Sequence, residues 1–281
     1  WSTAPRASVM KFLHATTPPE GNALLSDRYL LKGLFEPGGI HAVYWETDRT
    51  IIGGAVPTGN GLELSARGVV DTKTLCERRE IGIINLGGSG RIEINGTTVA
   101  MAPRDGYYAG RGSPDMVMHS DSAAEPAKFY FLSYPAHREF ESRKIAFAEV
   151  KGEKLGTPTG ANMRTLYKYF APGLVETCQL TMGFTELAEG HVWNTMPPHT
   201  HIRRSEVYCY FNVKADQAVF HFTGTPNATR HLIVRDLEAV LSPSGEIHSG
   251  VGTAAYSFVW GMGGENQEFA DMQRAPVAEL E

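Results

Sequence analysis

Hydrophobic positions along this chain alternate with polar ones far more often than they recur every three or four residues. Short runs rich in β-branched and aromatic residues are separated by glycine, proline, asparagine and aspartate, the pattern of strands with one buried face. Residues 81–86 (Ile-Gly-Ile-Ile-Asn-Leu), 91–94 and 97–101 form one such series. Asn95-Gly96 between the last two predicts a tight hairpin, because both residues tolerate the left-handed backbone of a two-residue turn. In the second half, segments 178–187, 207–213, 217–223, 231–235, 239–241 and 255–261 read the same way. Helical spacing is scarce: 22–31 and 145–151 are the clearest candidates, with a turn near 161–167. Evenly spaced short strands without intervening helices predict an all-β sandwich or jelly roll.

A weak internal repeat organises these strands. Glu80-Ile-Gly-Ile-Ile-Asn resembles Glu206-Val-Tyr-Cys-Tyr-Phe-Asn with one residue slipped, and the stretch from Asp105 to Asp115 lines up with Glu238 to His248. A hydrophobic strand follows each, Lys128-Phe-Tyr-Phe-Leu in one case and Tyr256-Ser-Phe-Val-Trp in the other. The expected organisation is two β-barrel-like halves, residues 1–135 and 136–281.

Composition narrows the function. With 42% hydrophobic and 20% charged residues the chain has an ordinary globular balance, which excludes wholesale disorder. Its net charge is −5 and no dense basic block occurs, so a nucleic-acid partner is not expected. The longest apolar runs fall well short of the ~20 residues that span a bilayer, so no membrane role is expected. Cys76, Cys178 and Cys209 lie far apart and make no CxxC pair. They form no disulfide framework, which suits a reducing, cytoplasmic setting.

The chemistry concentrates in Met196-Pro-Pro-His199-Thr-His201-Ile-Arg-Arg-Ser-Glu206 and Pro243-Ser-Gly245-Glu-Ile-His248. A lone His-x-His among ten histidines is weak; the added Glu206 and the later His248 make it specific. On one strand His199 and His201 project to the same side. Glu206 has the wrong parity to join them, so Ile-Arg-Arg-Ser has to turn the chain before a second strand begins. Three imidazoles and one carboxylate suit Zn, Fe(II), Mn or Ni, with no thiolate to favour a closed structural zinc site. The first half carries Asp115 where His248 would stand and no His pair before Glu80, so only the second half is expected to build the site.

The spacing His-x-His-x4-Glu followed by Pro-x-Gly-x-x-His resembles the two signature motifs of the cupin superfamily, and the duplicated halves look like a bicupin. Longer blocks are similar to the 5-keto-4-deoxyuronate isomerase family. They are Lys168-Tyr-Phe-Ala-Pro-Gly-Leu-Val-Glu176, Trp193-Asn-Thr-Met-Pro-Pro-His-Thr-His, Trp260-Gly-Met-Gly-Gly-Glu265-Asn-Gln and Glu77-Arg-Arg-Glu-Ile-Gly-Ile-Ile-Asn-Leu-Gly-Gly. That resemblance implies a zinc-dependent aldose–ketose isomerase of polyuronide breakdown, a cytoplasmic homohexamer acting on a small uronate. Zn2+ would be held by His199, His201, Glu206 and His248, a donor set that also accepts Fe2+ or Mn2+. A cupin dioxygenase using Fe(II) and a non-catalytic sugar-binding bicupin are the alternatives, and the long blocks favour the isomerase. No motif marks the general base. For the substrate carboxylate, Arg164, Lys168, Arg203 and Arg204 are the cations nearest in sequence.

Overall fold

The computed structural model describes residues 9–13, 22–66 and 70–281, and strands dominate them, as the alternating pattern predicts. Two compact units share the chain. One takes in the strand Val9–Leu13 with Gly33–Val150 and Pro172–Leu180; the other takes in residues 22–31 with Lys151–Ala171 and Thr181–Glu281. Among the described residues no helix is long and apolar enough to cross a membrane.

The first unit has a seven-stranded sheet in the order Val9–Leu13, Ile40–Trp45, Thr50–Ala55, Phe129–Pro135, Arg79–Asn85, Gly106–Ala109, Arg143–Ile145. Its second sheet runs Leu62–Leu64, Met116–Ser120, Gly90–Ile94, Thr97–Met101. The last two form the expected hairpin: Ile94 pairs with Thr97, and Asn95 and Gly96 take φ of 49° and 72°. Both sheets feed one hydrophobic cluster that includes Ile51, Ile81, Ile83, Met116, Phe129 and Phe131.

The second unit repeats the plan. Its larger sheet runs Gly152–Leu155, Arg164–Phe170, Thr181–Leu187, Ser257–Gly264, Arg204–Phe211, Ala239–Ser242, Leu30–Leu31. Its smaller sheet runs Ala228–Val234, Val219–Thr225, Ile247–Gly252, Trp193–Thr200, Gln273–Arg274. The helix Asn22–Tyr29 buries Leu25 and Tyr29 one turn apart and leads directly into Leu30–Leu31. Two expectations are corrected. Segment 145–151 is the end of a strand followed by a single 3-10 turn, Phe147–Glu149, too short to propagate as a helix. Around 161–167, turns close at Gly160 and Ala161 and a strand begins at Arg164.

Pairing registers correct the internal alignment by one residue. Glu206 lies opposite Ser242, the last residue of its strand; in the first unit the residue opposite the corresponding Ala109 is Ile81, not Glu80. In the smaller sheets the second unit pairs His199 with His248, whereas the first pairs Leu64 with Met116 and Leu62 with Met118. The first unit therefore carries Ile81 where the second carries Glu206, and Leu64, Ala66 and Met116 on the segments that match those of His199, His201 and His248. All four belong to its hydrophobic cluster. A one-residue slip reverses the face on which a side chain lies. Glu80 accordingly points away from that cluster, fully buried. Its carboxylate accepts the N–H groups of Cys178, Gln179 and Leu180 at 2.7–2.8 Å and the Tyr108 hydroxyl at 2.7 Å.

This clamp yields a stability prediction. Glu80→Gln places an amide among four donors and leaves buried N–H groups without an acceptor. Urea unfolding should show a loss of roughly 2–4 kcal/mol. An unchanged unfolding midpoint would remove the clamp from any account of the fold.

Candidate metal centre

The His-x-His segment ends one sheet and begins the crossing to the other. Trp193–Thr200 pairs with Ile247–Gly252, but its register breaks between Asn194 and His199, so residues 195–198 bulge out. Pairing resumes with His199 directly opposite His248. His201 follows the strand's last residue, 202–203 bend, and Arg204 opens the strand that carries Glu206. This is the turn that the parity of Glu206 required. Gly245 (φ 84°) turns the chain ahead of His248, and its N–H donates to the His201 carbonyl at 2.8 Å. Ser244 also donates to the Ile202 carbonyl. The two halves of the motif are thus tied through their backbones.

One ligand atom from each of His199, His201, Glu206 and His248 lies within 4.8 Å of all the others. His199 Nε2 is 3.2 Å from His201 Nε2 and 2.9 Å from His248 Nε2. Glu206 Oε2 is 3.2 Å from His201 Nε2 and 2.8 Å from His248 Nε2. His201 Nδ1 sits 2.8 Å from the Asp271 carbonyl, an acceptor only, so we assign its proton to Nδ1. Arg204 Nη2 donates to the same carbonyl at 2.7 Å. Ser242 Oγ stands 3.3 Å from His248 Nδ1 and holds the orientation of that ring. The His201 Nε2 lone pair then faces the other two Nε2 atoms and the buried Glu206 Oε2. A cation with affinity for imidazole and carboxylate resolves that repulsion, so the residues fit a divalent metal of the zinc or iron type.

Protonation favours the same state. Burial, reinforced by His248, pushes the His199 imidazole down to about 2. Burial works to raise the Glu206 carboxyl, but the His248 and His201 imidazoles outweigh it and hold the group below the usual carboxylate range. A neutral His199 and an ionised Glu206 bind metal without first losing protons.

Beside the cluster lies a cavity of about 310 Å3 between the two sheets of this unit. Its floor is a grid fixed by register: Glu206 beside Met262, Tyr208 beside Trp260, and Phe258 beside Thr185 beside Leu166. Thr195, Met196 and Pro197 of the bulge form part of the opposite wall. A C-terminal segment closes it with Phe269, Met272 and Arg274, held by pairing of Gln273 and Arg274 with Thr200 and His199.

Of the four cations singled out in the sequence, only Arg164 lines the cavity. Lys168 pairs with Glu153 at 3.3 Å and lies 4.4 Å over the Phe269 ring. Arg203 pairs with Asp271, and Arg204 is buried against the Asp271 carbonyl. Sequence reasoning missed Tyr208, Trp260, Arg274 and the Asp271 carbonyl. Strand alternation from Glu206 would have found Tyr208; nothing local marks the others. Behind the site His221, one of the histidines outside the motif, is fully buried with Nδ1 2.8 Å from the Tyr210 hydroxyl. Burial, reinforced by His248, pushes it down to about 3.

His199 and His221 give a pH prediction for metal-stripped protein. Both titrate lower when folded than in an unfolded chain, whose imidazoles protonate near 6.5. As pH falls below about 6.5 the unfolded chain takes up protons that the folded one refuses, so stability should drop. Melting temperature should therefore decline from pH 7 to pH 5, and less steeply in His221→Gln. An equal slope in that variant would rule out the His221 contribution.

Comparison with known proteins adds to this geometry. A ketol-isomerase of Halalkalibacterium halodurans, named for 4-deoxy-L-threo-5-hexosulose-uronate, is 43% identical over 275 residues, covering 96% of this chain and all of the relative. The enzyme of the same name from Salmonella typhimurium is 46% identical over 258 residues, 91% of this chain and 93% of its own. Among solved structures, an IolB-like protein of Salmonella typhimurium shares the fold with a TM-score of 0.71 at 14% identity, covering 88% of this chain and 96% of that one. The model of the KduI/IolB family matches residues 32–277, and the chain belongs to that family.

Proposed function

We propose that the protein is a metal-dependent ketol-isomerase that converts open-chain 5-keto-4-deoxyuronate (4-deoxy-L-threo-5-hexosulose uronate) into 3-deoxy-D-glycero-2,5-hexodiulosonate. Relatives of that name at 43% and 46% identity over nearly the whole chain support the reaction. The observation that carries it is the convergence of three imidazoles and one carboxylate on one wall of a cavity. Zinc is the ion we expect at His199, His201, Glu206 and His248, on the donor set and the resemblance. A cytoplasmic homohexamer belongs to the same reading and rests on the resemblance alone.

A bound divalent ion would supply Lewis acidity toward the substrate's C1 and C2 oxygens, where charge develops as the carbonyl moves. The chain's own groups do the rest. The Asp271 carbonyl and Ser242 hold His201 and His248 so that Nε2 faces the site. Tyr208 reaches toward Thr195 Oγ1 at 3.2 Å. Burial, with the Glu206 charge, raises its hydroxyl well above the ordinary tyrosine value, so it keeps its proton and acts as a donor. Among the described residues Glu206 is the one carboxylate lining the cavity. The C-terminal segment supplies Phe269, Met272 and Arg274 to the cavity wall beside the cluster.

The test is incubation of purified protein with the product of an unsaturated-uronate lyase digest, followed by NMR. Conversion should cease on chelation, return with zinc, and consume no oxygen. His248→Ala should lose bound metal and at least about 1000-fold in kcat. No conversion by metal-replete protein would sink the isomerase reading, and oxygen uptake would replace it with a dioxygenase.

A further inference from the structure

The cavity contains a cation that the metal cluster does not explain. Arg164 opens a strand three places across the sheet from the strand of Glu206, so it enters the cavity from the opposite side. It is half-buried, and its one hydrogen bond runs from Nη1 to the Asn162 carbonyl at 2.8 Å. Among the described residues no carboxylate pairs with it. The ionisable groups that act on it are the Tyr208 and Tyr256 hydroxyls, and Tyr208 lines the same cavity. Burial lowers its affinity for its proton, the mark of a guanidinium that has lost water without gaining an anion. A second donor points the same way. The Trp260 indole lines the cavity at 3% exposure, and its Nε1 is buried without a partner. A cavity that leaves an indole N–H without an acceptor and a guanidinium without a carboxylate is built for an oxygen-rich anion.

We propose that Arg164 is the residue that binds the substrate's terminal carboxylate, so that it fixes which end of the sugar acid meets the metal cluster and excludes neutral sugars. The proposal rests on the isomerase reading for the identity of the substrate but not for the chemistry recognised. Arg274, the other cation in the lining, is exposed and carries no comparable burial. A planar fork of donors suits a carboxylate better than a lysine would, so Arg164→Lys keeps charge but loses geometry.

Binding separates this proposal from the reaction. Calorimetry on zinc-loaded protein with D-galacturonate and D-galactose should show clear preference for the acid in the parent and its loss in Arg164→Gln. Kinetically, Arg164→Gln should raise KM for the keto-uronate about 10- to 100-fold with a smaller change in kcat. Arg164→Lys should recover part of that, and Arg274→Gln should cost clearly less than Arg164→Gln. Retained metal content and an unchanged melting temperature in Arg164→Lys guard against a folding defect. Equal binding of acid and neutral sugar by the parent, an unaltered preference in Arg164→Gln, or transfer of the loss to Arg274→Gln would each overturn the assignment. Absence of isomerisation with the acid preference intact would overturn only the isomerase reading.

Discussion

Ligand atoms held face to face repel, and this chain holds four of them within 4.8 Å. Burial removes the water that would otherwise screen them, and neighbouring carbonyl and hydroxyl groups keep the rings from rotating away. Much of the second unit's construction follows from that constraint. His199 and His248 are fixed by direct cross-strand pairing, while Glu206 has to arrive from the other sheet. The tight bend at Ile202 and Arg203 lets it do so, and hydrogen bonds from Gly245 and Ser244 brace that bend. A small metal ion is the simplest group that turns this arrangement from a cost into a bond.

The first unit shows the same frame under a different solution. On the segments that match those of the four ligands the first unit holds Leu64, Ala66, Ile81 and Met116, which join a continuous hydrophobic cluster. One backbone plan thus tolerates a filled interior or a polar centre beside a cavity, provided each set is internally consistent. Replacing a single ligand by its apolar counterpart would leave the remaining lone pairs without a cation and without packing. An intermediate between the two solutions is therefore worse than either.

The fold class was legible because strand alternation and Asn-Gly turns are local signals. The ligand set was legible because three of its members fall within eight residues and the fourth follows a Pro-x-Gly turn. Facing was harder to read: matching Glu80 to Glu206 by similarity erred by one residue, and in a strand that error changes which side of the sheet is meant. Cations also look alike along a chain. Only their partners separate Lys168 and Arg203, which are neutralised at Glu153 and Asp271, from Arg164, which is not. Asp271 holds His201 through its backbone carbonyl, a group every residue possesses, so no composition or motif could have announced it.

That carbonyl has a temporal consequence. Synthesis runs from the N-terminus, so all four ligands are made before the segment around residue 271 that orients His201 and closes the cavity. A nascent chain can present the histidines and the carboxylate but not their final geometry. Metal captured at that stage would be held by mobile side chains and would exchange freely. Selection of the correct ion then belongs to the finished molecule, after the last strand has locked over the barrel.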